Sequence, residues 1–286
     1  MSCRTKAITT KTKTMKAITF FICCIFISLI GISQSTQTKP QKEAVLIVGD
    51  RAPAENKARM EELAVILESH KYKVHRFYSP NNKWVDIKKA ALNASFFIYN
   101  GHGTTLGLNE GFGGLVINEF ISAQRIVDEL KFNRNPVVIY QSACGAAGTS
   151  EGDPLDIGVK EAALRVAETA KPFLMIGASA YYADNYYGGV NTFLQHFLAG
   201  EALGAIYQEI ASSWTNIEVN RALNDSALDS DLFLGVSSSG GGKKEIITQV
   251  NGKQVKKYEQ QEKKYSIAFI GPNEPTVNDV LLVTSR

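Results

Sequence analysis

Cysteine, histidine and excess charge are all scarce in this chain. Only four cysteines and four histidines occur in 286 residues, and no histidine pair has zinc-ligand spacing with a cysteine, so no structural zinc site is expected. Residues 1–35 contain five basic and no acidic residues, and without them the formal net charge changes from +3 to −2. That charge gives no support to a nucleic-acid partner. The overall composition, 44% hydrophobic and 21% charged, is typical of a globular protein and excludes disorder and multiple membrane spans.

The first 34 residues have the pattern of an export signal. Basic residues precede an apolar run, Ala17–Ile30, which only Thr19 and Ser28 interrupt, and small residues follow it. Met15 is an alternative start, because the segment after it already contains a complete signal. The run is short for a membrane span, which needs about 20 residues. We therefore expect an exported, periplasmic or extracellular protein with a cleaved signal at 1–34. The alternative is that this segment stays uncleaved as an N-terminal anchor. No other membrane association is expected.

Removal of this signal leaves Cys144 as the single thiol of the chain. The fold then has no internal disulfide and depends on its hydrophobic core. A lone thiol in an exported protein is a target for oxidation. Cys144 is therefore either a small buried core residue, the commoner case, or a residue with a chemical use.

Apolar runs alternate with helical patterns along most of the chain. The strands are expected at 44–49, 73–78, 95–100, 136–142, 172–177 and 231–236, and the helices at 53–70, 84–92, 118–130, 157–170 and 190–211. Strands that are apolar throughout and alternate with amphipathic helices indicate a mainly parallel sheet with helices on both faces. The right-handed crossover rule then predicts a doubly wound α/β domain over residues 44–238.

The ends of the mature chain differ from this domain. Residues 35–43 are predicted to be a polar linker. Residues 239–286 are predicted to be a further linker and a short β-rich tail, in which Asn251-Gly252 is a strong hairpin turn. Residues 267–270 and 280–283 are candidates for two more strands.

Two of the predicted strands end in residues that carry chemistry. The third runs into Gly101-His102-Gly103, and the fourth runs into Cys144-Gly145. Ligands bind at the carboxyl ends of parallel strands, so His102 and Cys144 are expected at one edge of the sheet. A cysteine and a histidine within reach of each other favour the reactive thiolate. The glycines admit a substrate backbone, and the N–H groups of Gly103 and Cys144 are candidates to stabilise an oxyanion.

These strand ends, FFIYNGHG at 96–103 and VVIYQSACGAAG at 137–148, resemble those of the caspase-fold cysteine peptidases. That group includes the caspases, legumain, clostripain and the gingipains, and the chain is most similar to the CHAT and gingipain-like branches. The segments 176–210 and 232–235 resemble the strand and helix that follow the cysteine in CHAT domains and their late leucine-rich strand. The resemblance covers about 44–238.

The resemblance implies a caspase-like fold and a cysteine endopeptidase that acts on a polypeptide substrate. By the same resemblance, Cys144 is the nucleophile, His102 is its proton-transfer partner and Gly103 donates to the oxyanion. Ser142 stands where metacaspases have Asp and caspases have Gln, so no preference for an acidic or a basic substrate residue follows. The alternatives are a caspase-like binding or regulatory module without catalysis, and another thiol-dependent acyl hydrolase.

Further candidates follow the cysteine along the chain. Asp153, Asp156 and Asp184 are candidates to bind a basic substrate residue, although Asp156 equally suits a helix N-cap. Tyr181 and Tyr182, in what the pattern predicts to be an aromatic loop, are candidate walls of the same pocket. No cofactor is expected. The acidic segment 224–231 suggests calcium but lacks the glycine and final glutamate of an EF-hand. The oligomeric state stays open.

Overall fold

The structure is a computed structural model, and it describes residues 41–50, 52, 54–105, 107–108, 111–185, 189–214, 216–220, 230–238, 244–250, 253–259 and 263–272. The predicted export signal, the Asn251-Gly252 turn, the candidate strand 280–283 and all but the last two residues of the acidic segment 224–231 lie outside these residues. In the part of the chain that is described, no helix has both the length and the apolar character needed to cross a membrane.

Strands and helices alternate through the first two thirds of the described chain, and strands dominate the last third. In chain order the elements are β1 (Glu43–Val48), α1 (Ala54–Ser69), β2 (Lys73–Tyr78), α2 (Trp84–Ala91), β3 (Ala94–Asn100), β4 (Leu115–Val116), β5 (Phe120–Ile121), α3 (Ala123–Glu129), β6 (Val137–Gln141), α4 (Val159–Met175), β7 (Ala180–Asp184), α5 (Gly189–Ala199), α6 (Leu203–Trp214), β8 (Asn216–Asn220), β9 (Leu232–Ser238), β10 (Lys244–Val250), β11 (Lys253–Glu259) and β12 (Lys263–Ile270).

Eight of these strands form one central sheet in the order β2-β1-β3-β6-β7-β12-β9-β8. The first five strands are parallel to one another, and each of the last three is antiparallel to its neighbour. The predicted α/β class with a mainly parallel sheet is therefore confirmed.

Helices cover both faces of the sheet, which explains why the central strands are apolar at successive positions. In β3, Phe97 and Tyr99 face a core shared with α2, α3 and α4, whereas Phe96 and Ile98 face a core shared with α1, α5 and α6. The arrangement agrees with the doubly wound sheet expected from the sequence. It also places the carboxyl ends of five parallel strands along one edge.

The fifth parallel strand is not where the sequence pattern places it. Residues 172–177 were expected to form it, but α4 continues through Pro172 to Met175, and the strand is β7 at Ala180–Asp184. Pro172 has no N–H to give to the helix, but it lies in the last turn, where one missing bond interrupts little. The apolar residues after it pack as a helix face: Pro172 and Phe173 are buried, whereas Met175 is half exposed.

Two predicted helices are also shorter than expected. The helix predicted from residue 118 begins only at Ala123, because Phe120–Ile121 pairs with Leu115–Val116 in a small hairpin. The long helix predicted for 190–211 is two helices. They are separated at Gly200, whose φ of +101° favours glycine and ends α5.

The C-terminal part contributes to the central sheet, so the predicted domain end at residue 238 is too early. β12 lies between β7 and β9 and is antiparallel to both. Its residues 265–270 are buried at every position, since they pair on both sides and carry helices on both faces. The predicted hairpin is confirmed: β10 and β11 are antiparallel, with Val250 opposite Lys253.

Candidate active site

The candidate site lies at the carboxyl ends of β3 and β6, which are neighbours in the parallel part of the sheet. Asn100, the last residue of β3, is paired in register with Gln141, the last residue of β6. His102 follows Asn100 by two residues, and Cys144 follows Gln141 by three. The topology therefore brings the two residues to one edge of the sheet, as the sequence predicts.

The loops that carry His102 and Cys144 touch each other through their backbones. Gly103 lies so close to Cys144 that a Cβ atom on Gly103 would clash with the Cys144 carbonyl oxygen. Any other residue at position 103 would force the two loops apart. His102 is exposed and Cys144 is partly exposed. Both residues therefore have solvent-exposed surface, and they belong to two loops in direct contact.

The cysteine loop has a strained entry and is fixed from behind. Ser142 has a φ of +56°, which is uncommon for a residue other than glycine, and its N–H donates to the Asp184 carbonyl at 2.9 Å. The buried Tyr181 hydroxyl donates to the Ala146 carbonyl at 3.0 Å. Strain of this kind is common at functional sites, where the surrounding structure holds it in place.

The histidine loop is fixed by Tyr99, which is fully buried on β3. Its hydroxyl lies 2.8 Å from the His102 carbonyl and 3.0 Å from the Val116 carbonyl, and it accepts the Val116 N–H at 3.1 Å. Burial raises the pKa of Tyr99 well above its usual value, so the group stays a neutral hydrogen-bond donor. This side chain ties the histidine loop to the β4–β5 hairpin.

A cavity of about 770 Å³ opens beside His102. Its lining residues come from the histidine loop, the end of β1 and the β4–β5 hairpin: Asp50, His102, Gly103, Thr104, Thr105, Phe112, Val116, Ile117, Asn118, Glu119 and Phe120. Phe120 is 67% exposed at this hairpin. Cys144 is not among the lining residues that the structure describes, although Gly103, which touches its backbone, is. The volume lies in the range of ligand-binding pockets in proteins.

Asp153 lies outside this cavity and has a structural partner, so the structure gives no support to its predicted role in binding a basic substrate residue. Its carboxylate accepts a hydrogen bond from Arg165 at 2.7 Å, and both side chains are largely buried. Arg165 also donates to Glu161 at 2.8 Å and lies 4.5 Å from the centre of the Phe112 ring. Asp153 therefore fixes the cysteine loop to α4, since a carboxylate held by a buried cation is not available to a second one.

Asp156 has a local structural role and also lies outside the cavity. Its carboxylate accepts the Gly158 N–H at 2.8 Å, just before α4 begins. The residue at the N-cap position is Gly158, so the alternative prediction of Asp156 as the N-cap is wrong by two residues. The short Asp turn shapes the entry to the helix instead.

Tyr181, Tyr182 and Asp184 belong to the core of β7 and not to an open loop. All three have almost no exposed surface, so they line no accessible pocket, and the predictions for them are wrong. Tyr181 and Tyr182 point to opposite faces of the sheet, as successive strand residues do. Tyr182 stacks on Phe193 with ring centres 4.2 Å apart, and its hydroxyl donates to the Asp184 carboxylate at 3.0 Å.

Asp50 is a cavity residue that the sequence pattern did not single out. It follows β1, the strand beside β3, and its carboxylate accepts a hydrogen bond from the Ser79 hydroxyl at 3.3 Å. The signal was present, because the run AVLIVG ends directly before it. The rule that draws attention to His102 and Cys144 at strand ends applies equally to this position.

One group of described side chains has the spacing of metal ligands. His196 Nδ1 lies 3.0 Å from a Glu201 oxygen and 3.6 Å from a Glu209 oxygen, and the three ligand atoms are within 4.8 Å of one another. The hydrogen bond with Glu201 raises the pKa of His196, although burial opposes this. These partly exposed side chains form an ion-pair link between α5 and α6 and lie outside the candidate active site.

Comparison with known protein families and with curated proteins gives no match to this chain. No relative therefore assigns a role to His102 or Cys144. The functional argument depends on the residues and geometry of the site itself.

Proposed function

We propose that the protein is an exported cysteine endopeptidase with a caspase-like, doubly wound domain. The observation that carries the proposal is the backbone contact between Gly103 and Cys144, which brings together the loop of the exposed His102 and the loop of the one cysteine in the described part of the chain. The glycines at this contact, the strained Ser142 and the adjacent cavity give further support. The resemblance of both strand ends to caspase-fold peptidases points to the same chemistry.

In the proposed reaction, the Cys144 thiolate attacks the scissile carbonyl carbon and forms a tetrahedral intermediate. The N–H groups of Gly103 and Cys144 are the proposed donors to its oxyanion. The intermediate collapses to a thioester as the carbon–nitrogen bond breaks, and protonated His102 gives its proton to the departing amine. Water activated by the now neutral His102 then hydrolyses the thioester and releases the acid product.

The cavity favours a basic side chain at the residue whose carbonyl is attacked. Two carboxylates, those of Asp50 and Glu119, are part of its lining, and acidic groups in a pocket wall favour a cationic ligand. Glu119 pairs with Arg125 at 2.8 Å, and Asp50 accepts a hydrogen bond from the Ser79 hydroxyl at 3.3 Å. Lysine or arginine is therefore the proposed specificity.

One observation favours the second candidate, a binding module without catalysis. Cys144 is not among the described residues that line the cavity, whereas the exposed Phe120 is. A ligand held by Phe120 and Asp50 would not need to reach the thiol. This alternative makes no use of the contact between the two loops, and we therefore prefer the peptidase.

The test is cleavage of a diverse peptide mixture by the wild-type protein, with Cys144→Ala as the matched control. Both proteins are incubated under reducing conditions, with and without calcium, and new termini are identified by mass spectrometry. The proposal expects cuts after lysine or arginine that only the wild-type protein makes. Cuts made equally by both proteins, or none by either, would contradict it, and saturable peptide binding without cuts would support the binding module.

A further inference from the structure

Two buried amide side chains stand at the ends of the strands that carry the candidate dyad. Asn100 ends β3 and Gln141 ends β6, and their exposed fractions are 0% and 1%. The Asn100 side-chain N–H₂ donates to the Gln141 side-chain oxygen at 2.9 Å. We call this contact the amide bridge. It joins the two strands at the last residue before each functional loop.

The amide bridge is only half satisfied. The Asn100 side-chain oxygen and the Gln141 side-chain nitrogen are buried and have no hydrogen-bond partner among the described residues. Exchanging the two ends of both amides would still leave one bond and two unpaired groups. Unpaired buried polar groups destabilise a fold. The preceding residues on the same face, such as Ile98 and Ile139, are apolar, so an apolar pair would suit this core better.

The position of the amide bridge suggests a role that offsets the loss of stability from its unpaired groups. Asn100 is separated from His102 by Gly101 alone, and Gln141 precedes Ser142, whose left-handed backbone starts the cysteine loop. A hydrogen bond is directional, so one at this point fixes the position of one strand end relative to the other. Contacts between apolar side chains have no preferred direction and do not fix it.

We propose that Asn100 and Gln141 are positioning residues that set the His102 loop and the Cys144 loop in register. Neither side chain lines the cavity, so neither touches substrate, and both act through the loops that follow them. The inference depends on the Cys-His pair of the proposed function. It goes beyond that function by assigning the alignment of the pair to a polar contact behind it.

The experiment measures the rate at which iodoacetamide alkylates Cys144 as a function of pH. The full chain is used, and the peptide containing Cys144 is quantified by mass spectrometry, which requires no peptide cleavage by the protein. A histidine-paired thiolate keeps reacting at pH values where an isolated thiol is protonated. His102→Ala removes the pairing and defines the profile of an isolated Cys144 thiol.

The bridge variants are Asn100→Leu, Gln141→Met and the exchanged pair Asn100→Gln with Gln141→Asn. We expect each apolar variant to lower the alkylation rate at pH 6 by about tenfold to 100-fold, because small misplacements of reacting groups have effects of this size. The exchanged pair retains an amide bond across the strands and should recover at least half of the wild-type rate. On a cleavable peptide, kcat should fall in the apolar variants while KM stays within twofold.

Ser95→Ala is the matched control. Ser95 is also fully buried on β3, and its side-chain oxygen has no hydrogen-bond partner in the described part of the chain, but it lies five residues before Asn100, or about 16 Å along the strand. Its alkylation profile should be that of the wild type. Thermal unfolding of every variant verifies folding, and should Asn100→Leu fail to fold, Gln141→Met and the exchanged pair still test the inference.

The outcomes separate the two proposals. If His102→Ala changes the profile and the apolar bridge variants do not, the amide bridge is structural and this inference alone is overturned. If Ser95→Ala changes the profile as much as they do, the effect is not specific to the bridge and the inference is also overturned. If His102→Ala leaves the profile unchanged, the Cys-His pair itself is overturned, and the inference falls with it.

Discussion

The two sides of the candidate active site differ in how far they are open. The histidine side, made by the His102 loop, Asp50 and the β4–β5 hairpin, surrounds a cavity of about 770 Å³ and exposes Phe120. The cysteine side is closed from behind by Arg165 and the buried Tyr181. Under the proposed function, the difference assigns substrate selection to the open side, whereas the closed side holds the proposed nucleophile, Cys144, in place.

The largest expected effect is the loss of peptide cleavage on substitution of His102, which lies where the two sides meet. His102→Ala removes the proton-transfer partner, and we expect kcat/KM for peptide cleavage to fall by about 10²-fold to 10⁴-fold. The side chain is exposed, so the free energy of unfolding should not change. Peptide cleavage and urea unfolding of the same preparation give both numbers. A loss of stability that parallels the loss of activity would contradict the separation of roles.

Substitutions on the closed side should lower the free energy of unfolding. Arg165→Met removes the cation that pairs with the largely buried Asp153 carboxylate, which keeps only the Ser150 N–H as a donor among the described residues, and the expected loss of unfolding free energy is about 3 kcal/mol. The double variant Arg165→Met with Asp153→Leu has no such charge but takes the acceptor from the Ser150 N–H, so it should recover part of that loss. Urea unfolding monitored by circular dichroism measures both. A double variant as unstable as the single one would show that the ion pair is not what fixes the loop.

The two aspartates give the sharpest comparison of the two sides. Asp50→Asn should lower kcat/KM for substrates with lysine or arginine by about tenfold to 100-fold, since a hydrogen bond to a charged group is lost. Stability should be nearly unchanged. Asp153→Asn should lower the stability without altering the preference among substrates. A shift of preference in Asp153→Asn and none in Asp50→Asn would reverse the assignment of the sides.

The smallest expected effect lies at His196. Glu201 raises the pKa of folded His196, so the ion pair stabilises the fold below the unfolded-state pKa of about 6.5 and loses this contribution as the pH rises through the folded-state value. The side chains are partly exposed, which limits the contribution to less than about 1 kcal/mol. His196→Gln should therefore be less stable than the wild type at pH 5.5 and equal to it at pH 8.5. Equal stability of His196→Gln and the wild type at both pH values would contradict a stabilising ion pair at His196.

The sequence pattern predicted the first four parallel strands: β1, β3 and β6 are apolar runs bounded by turns, and β2 is a more polar strand at the edge of the sheet. It misplaced the fifth strand for two reasons. The apolar residues of Pro172–Gly177 belong largely to the end of a helix, and Ala180–Asp184, with its tyrosines and aspartate, does not read as an apolar strand although every residue of it is buried. It also left β12 outside the domain. Which strand fills a gap in a sheet depends on pairing between residues far apart in the chain, and no local pattern shows it.

The residues of the candidate site also divide into those that a local sequence pattern predicts and those that depend on contacts between distant parts of the chain. His102, Gly103 and Cys144 were predictable, because strand ends in a parallel sheet converge whatever the rest of the chain does. Asp153 was misassigned because its partner, Arg165, reaches back from the middle of α4. Nearness in sequence to Cys144 says nothing about such a contact. The amide bridge also depends on the register of β3 against β6, which only the folded sheet provides.

The most direct test of the central claim is detection of an acyl group on Cys144 during turnover. A peptide with lysine at the cleavage position is mixed with the wild-type protein, quenched in acid within milliseconds and digested, and the fragment containing Cys144 is weighed. The account predicts a mass increase equal to the acyl part of the peptide, absent in Cys144→Ala. Cleavage of the peptide without an acyl group on Cys144, or with the same products in Cys144→Ala, would contradict it.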